Sequence, residues 1–186
     1  LILDTETPTG FNLHGEKHVT SVVEKSLKLL EKRKPKPISS KLIEKELIIA
    51  GYLHDIGNLI GRKNHGIYGV ILLTKKFFDF NRTKETLYSF LRILEAVLFH
   101  EVDMACSIPL LDKLNPVSLG LIIADKTDVS SWRISPKADT RKAVNDEYAL
   151  VNLFTSKSTI STRGKSFIWR ILFSPATSKR EKLFFP

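Results

Sequence analysis

Cysteine is almost absent: Cys106 is the only one among 186 residues, so no disulfide within the chain can brace it, as expected of a reducing compartment. Taken alone, Cys106 reads as a small buried hydrophobe. Long apolar runs are missing too. The stretch LIIAGYL, residues 47 to 53, is cut off by His54 and Asp55, far short of the roughly 20 residues that a bilayer-spanning helix needs. The opening LILDTETPTG has neither the basic start nor the apolar stretch of a secretory signal. Together these absences point to the cytoplasm. The first residue is not Met and the chain stops abruptly at Phe184-Phe185-Pro186, which leaves room for sequence beyond either end. A Gly-x-Ser-x-Gly turn and a Gly-rich phosphate loop are absent, and Cys106 precedes a Ser-Ile-Pro stretch with no basic partner, which counts against nucleophilic catalysis. No internal repeat or low-complexity segment is present.

What is present is an ordinary globular composition, 42% hydrophobic and 26% charged with 9 Gly and 8 Pro, in a chain long enough for a real core. One domain, or one with a small appendage, is expected. The formal charge of +9 favours anionic partners, such as phosphorylated small molecules, nucleotides or nucleic acid. Part of it sits in EKRKPKP, residues 31 to 37, which reads as a solvated basic loop between two helices.

Helical spacing dominates the first two thirds. Val19, Val22, Val23, Leu27 and Leu30 mark a first helix, with Glu16 near its N-terminus and Pro35 and Pro37 beyond its end. Ser39 or Ser40 caps a second helix carrying Leu42, Ile43, Leu47, Ile48, Ala50 and Leu53, which runs into His54-Asp55 with Gly57 as terminator. A third follows His65 through GIYGVILLTKKFF. A fourth covers roughly residues 84 to 101, with Leu87, Phe90, Leu91, Leu94, Val97 and Leu98 as its stripe, and ends at His100 and Glu101. Asn115 before Pro116 starts a fifth helix through LIIADKTD. After Pro136 the character changes. DTRKAVNDEYALV reads as a further helix, and STISTRGKSFIWRILFS as a hairpin around Arg163-Gly164. The expected fold is therefore mainly α, a helical domain over residues 1–135 with a small C-terminal α+β extension over 136–186.

Three polar groups lie where an apolar stripe would continue. Asp125 shares a helix face with Ser118, Leu121 and Ile122; His100 lies below Ile93, Ala96 and Val97; His54 follows Leu47, Ala50 and Gly51. An ionised carboxylate buried without a partner costs several kcal/mol or more. Alone, each His is more often a hydrogen-bonded core residue than a ligand, and an Asp on an apolar face more often pairs with Arg or Lys. The adjacency of His54 and Asp55 shifts that balance, since neighbours about 100° apart at a helix end can both reach one ion. Groups converging from several helices are how bundles build metal sites.

The ordered set His18, His54-Asp55 and Asp125 resembles the HD superfamily of metal-dependent phosphohydrolases. HVTSVV looks like that family's opening helix, AGYLHDIGN like its central motif, NHGIYGVILL like the segment after it and LIIADKTD like its closing Ala-Asp motif, a resemblance covering residues 14 to 135. It implies an HD-domain helical bundle in which His18, His54, Asp55 and Asp125 bind a first ion. His65 and His100 match the extra histidines of the binuclear branch, where Asp55 would bridge two ions. His14 competes with His18 for the first place, but Val22 follows His18 on its face as in the family pattern. Three departures stand out: Glu101 replaces a second consecutive histidine, Asn58 stands where the central motif often has Lys, and the Gly-Tyr-Pro element of the cyclic-dinucleotide branch is missing.

The mixed nitrogen and oxygen ligands suit Mn, Fe, Co, Ni or Zn better than Ca. The implied reaction is hydrolysis of a phosphoester by a metal-activated water, with one ion expected and room for two. Arg62, Lys63 and Lys126 are candidate phosphate contacts, and Glu101 and Asp128 candidates for positioning water or acting as acid or base; for each, a solvated surface charge is the ordinary alternative. The rival expectation is a catalytically weak or inactive sensor, or a nucleotide- or RNA-binding module. Phe167, Trp169 and Phe173 alternate and could form a stacking platform, although packing in a core or a dimer is the ordinary use of such residues.

Overall fold

The computed structural model describes residues 13–32, 40–77, 83–101, 113–135, 147–164 and 166–174. The described chain is mainly helical. Helices α1 (Glu16–Lys32), α2 (Ser40–Leu53), α3 (His65–Phe77), α4 (Lys84–Phe99) and α5 (Pro116–Lys126) come first. Helix α6 (Glu147–Phe154) and an antiparallel hairpin of β1 (Thr155–Arg163) and β2 (Ser166–Phe173) follow. Single 3-10 turns cover Ile56–Leu59 and Ser131–Arg133. Cys106, Pro35, Pro37, Ser39 and Pro136 lie outside the described residues, as does the first part of the helix expected over 139 to 151. No described helix is long and apolar enough to cross a membrane.

Two compact units are distinguished, one of residues 19–126 and one of residues 1–18 with 127–186. In the larger unit Val22, Ile43, Leu47, Ala50, Ile93, Ala96, Val97, Val117, Leu121 and Ala124 form the core. On α2, α4 and α5 these positions recur at helical intervals, so each of these helices buries one stripe. The expected inward line of α2 through Ile43, Leu47 and Ala50 and the line of Ile93, Ala96 and Val97 above His100 are buried, and only part of each expected stripe differs. Leu42, Leu87 and Leu91 are exposed, while Ile43, Glu46, Leu47, Ala50 and Gly51 on α2 and Ile93, Ala96 and Val97 on α4 turn inward. Local chemistry starts the helices where expected or close to it. Asn115 Oδ1 accepts from the backbone N–H groups of Val117 and Ser118 at 2.8 and 3.1 Å, and Thr83 forms a reciprocal capping box with Thr86.

Glu46 is the buried charge that sequence reasoning did not single out. Its carboxylate, 2% exposed, accepts from Arg92 Nε at 2.8 Å and from Arg92 Nη2, tying α2 to α4. Glu95 ties α4 to α5, accepting from Asn115 N at 2.8 Å and Ser118 Oγ at 2.9 Å. Removing only one partner of a buried ion pair strands the other charge. Arg92→Met is therefore expected to lower unfolding free energy by about 3–5 kcal/mol. Pairing it with Glu46→Met should restore most of that loss in urea titrations.

In the smaller unit the backbone N–H of Leu13 donates to Arg133 O, Ser130 N to Asn152 Oδ1, and Ser174 N to Phe154 O. Ala149 and Leu153 are buried on α6. The hairpin pairs Arg163 with Ser166 around Gly164, as the Arg-Gly turn predicts, and carries one irregularity between Thr155 and Lys157. Gly164 has φ +59°, a left-handed conformation that a side chain would disfavour.

Candidate metal centre

Helix α2 ends at Leu53, so His54 and Asp55 occupy the turn leading into the Ile56–Leu59 segment. His65 is the first residue of α3, entered through Asn64 at φ 62°, a conformation Asn tolerates better than most residues. His100 closes α4, and Asp125 lies in the last turn of α5. Four helix ends of the larger unit thus deliver five ligand-type side chains. Gly66 permits the close approach of α3 to the end of α4: a Cβ there would lie 2.7 Å from Leu98 O.

The carboxylate of Asp55 is the meeting point. Its Oδ2 is 3.2 Å from His54 Nε2, and its Oδ1 is 3.3 Å from His65 Nε2 and 3.6 Å from His100 Nε2. Asp125 Oδ1 stands 3.9 Å from His54 Nε2. His54, Asp55 and His100 each place one ligand atom within 4.8 Å of the others, a grouping able to hold a metal ion.

The three imidazoles are oriented in the same way. Nδ1 of His54 is 2.7 Å from Gly51 O, that of His65 2.9 Å from Arg62 O and that of His100 2.7 Å from Val97 O. A carbonyl oxygen only accepts, so each Nδ1 carries the proton and each Nε2 faces inward. His65 Nε2 and His100 Nε2 are then 2.8 Å apart. Two imidazole lone pairs at that separation repel unless a proton or a cation sits between them. Neighbouring ligands about 2.1 Å from a metal ion lie about 3.0 to 3.4 Å from each other, close to several of these spacings. The donor set, imidazole nitrogen with carboxylate oxygen, fits a divalent transition ion.

Electrostatics point the same way. Burial pushes the His54 imidazole down, but the Asp55 carboxylate, as charge and as acceptor, and the Asp125 charge outweigh it and raise the pKa from 6.5 to about 9. Burial lowers His100, with the neighbouring His54 adding to the effect. Without metal, His54 thus keeps a proton at neutral pH. That proton stabilises the metal-free fold below the ordinary value of 6.5, and the contribution fades as pH rises through about 9. A metal ion must displace it. Metal uptake at pH 7.5 is expected to release about one proton, and apparent affinity to rise about tenfold per pH unit between pH 7 and 8.5. Calorimetry in two buffers of different ionisation enthalpy measures the release directly.

No protein-family model, curated protein or solved structure matches this chain. The centre therefore stands on its own geometry.

The remaining candidate residues have definite places. Lys126 Nζ donates to Asp125 Oδ2 at 2.9 Å. Arg62 and Lys63 are exposed on the turn before His65. Glu101 accepts from the N–H groups of Asn64 and Gly66 at 3.1 and 3.2 Å, so it caps α3, and its Oε1 lies 3.3 Å from His65 Nδ1. Asn58 Nδ2 donates to Asp55 Oδ1 at 3.0 Å, an orienting contact that sequence reasoning missed because Asn58 drew attention only as a replaced Lys. His18 and Asp128 belong to the smaller unit. Both are buried, and Nδ1 of His18 lies 2.7 Å from Asp128 Oδ2, a carboxylate–imidazole pair that directs the other ring nitrogen away. Arg133 Nη1 donates to Asp128 O at 3.0 Å and lies 3.5 Å from Asp128 Oδ2. His14 stands edge-on to His18 with ring centroids 5.4 Å apart.

Proposed function

We propose that the chain is a metal-dependent phosphohydrolase of the HD type, cleaving a phosphoester of a nucleotide or a related compound. The observation that carries this reading is the 2.8 Å approach of two inward-facing imidazole nitrogens beside the Asp55 carboxylate. His54, Asp55 and Asp125 would hold one ion. The sequence motif adds His18 to this set. Where a second ion binds, Asp55 with His65 and His100 would hold it. With a divalent transition ion bound there, the site would gain an acidified water and a counter-charge for the phosphoryl oxygens.

The protein's own contribution is to orient. The Gly51, Arg62 and Val97 carbonyls fix the imidazole tautomers, Asn58 fixes the Asp55 carboxylate, and Glu101 holds the start of α3 that carries His65. Arg62 and Lys63 present cations to a phosphate entering beside His65. Lys126 offsets the charge of Asp125, and this contact also favours a second reading, a centre that binds its ion weakly and serves as a sensor.

Phosphate release from a panel of nucleotides and phosphoesters, with Mn, Ni or Co added to the purified protein, decides between them. Turnover that His54→Ala abolishes supports the hydrolase; nucleotide binding without turnover under every metal supports the sensor.

A further inference from the structure

The hairpin carries a feature that the metal centre does not use. No Asp or Glu occurs between Glu147 and Glu181, whereas the sequence from 155 to 173 contains Lys157, Arg163, Lys165 and Arg170. Four net positive charges out of the chain's nine thus fall on residues 155–173. The cross-strand pairs sort the side chains by face. Thr162 with Phe167, Ile160 with Trp169 and Ser158 with Ile171 make an aromatic and apolar face. Ser161 with Ile168, Thr159 with Arg170 and Lys157 with Leu172 share the other.

These aromatic groups are not core. Trp169 is 45% exposed, Phe173 60% and Phe167 37%. The Trp169 ring is nonetheless held in place, since its Nε1–H donates to Ser158 Oγ at 2.9 Å and Ser158 Oγ donates to Thr127 O at 2.5 Å. Arg170 is steadied by Ser161 Oγ at 2.9 Å. A pinned indole and the exposed cations Lys157, Arg163 and Arg170, in a segment whose own sequence has no acidic residue, fit a ligand with flat apolar groups on one side and negative charge on the other.

We infer that the β1–β2 ribbon binds single-stranded nucleic acid, with bases stacked on the Trp169 face and phosphates drawn to Lys157, Arg163 and Arg170. Neighbouring strands are only about 5 Å apart, so a nucleotide chain laid along the ribbon's edge meets both faces. An anionic membrane suits the ribbon less well, because insertion needs apolar and basic groups directed the same way. A second copy would set like charges against each other. The ribbon has no Asn or Gln to read adenine edges, so binding is tolerant of sequence.

The test is fluorescence anisotropy of the full chain with labelled oligo(U) and oligo(dT) of about 12 nucleotides, at salt from about 50 to about 200 mM. The expected result is saturable binding that weakens with salt. Trp169→Ala should weaken it about tenfold or more, Trp169→Phe should keep most of it, and Lys157→Gln with Arg170→Gln should lower the salt slope by about 1.4. Because Lys157 and Arg170 are exposed, that double variant does not depend on the indole surviving replacement. Preference for oligo(U) or oligo(dT) separates RNA from DNA as the source. The inference is overturned by absence of binding at low salt, or by affinities unchanged in both the Trp169→Ala and the double variants. It is equally overturned if phosphatidylserine vesicles bind through Trp169 while oligonucleotides do not, or if sedimentation shows a dimer that buries Trp169.

Discussion

Asp55→Ala is expected to abolish metal loading at the candidate centre and to reduce the proposed phosphoester turnover by about a thousandfold or more. The size of the effect follows from position. Asp55 directs one oxygen toward His54 and the other toward His65 and His100, so one substitution removes a ligand from both halves of the site. Each His would keep its carbonyl partner, and the imidazoles would stay oriented around a centre that had lost its shared negative charge. The metal-free variant gives a second readout. The Asp55 charge and hydrogen bond are what lift His54 against its burial, so His54 should titrate well below 9 in Asp55→Ala, as followed by its NMR resonances. Metal content that stays at the parent level in the variant would sink the assignment of Asp55 as a ligand. Asp55→Asn keeps the shape and removes the charge, and its expected loss of turnover separates charge from packing.

How much of this was legible in the sequence depended on whether a residue's neighbours along the chain also decided its environment. The five helices described within residues 16–126 were readable because apolar residues recur at helical spacing, and the Asn115-Pro116 start was readable because the cap is local chemistry. The hairpin announced itself through β-branched and aromatic residues around Arg163-Gly164. Which face turned inward was harder to read. In α2 the doublets Leu42-Ile43 and Leu47-Ile48 fit two adjacent stripes equally well, and the stripe chosen by packing runs through Glu46. A charge is the last residue a pattern search places in a core, and what makes it tolerable there, Arg92, lies on another helix.

The same distinction applies to the site. His54, His100 and Asp125 were legible because each terminates an apolar line on its own helix. Their mutual distances follow from how four helix ends converge, which no local pattern encodes. Glu101 illustrates the gap. From sequence it was a candidate acid or base; in the fold its two oxygens accept from Asn64 and Gly66, a capping role created by residues 35 to 37 positions away. The alternating aromatic residues of β2 were visible, yet only accessibility shows that they face outward.

Gly57→Ala is expected to be the most damaging single-methyl change in the larger unit. Gly57 lies two residues after Asp55, in the 3-10 turn that packs beneath the start of α3. A Cβ there would fall 1.8 Å from His65 O and 2.6 Å from Gly69 N, distances at which no side-chain rotation helps because both atoms are backbone. Relief requires α3 to move away from the turn by an ångström or more, about the displacement that separates a productive metal-ligand distance from a useless one. The expected loss of stability is more than about 4 kcal/mol, the range reserved for overpacked backbone and broken cores. If the variant folds, His65 moves away from Asp55 while His54, on the near side of the turn, keeps its place. Metal titration should then show any second ion lost before the first, a pattern that general destabilisation would not produce. A Gly57→Ala protein with parental stability and parental metal content would show that α3 and the turn are not packed as closely as His65 and Asp55 require.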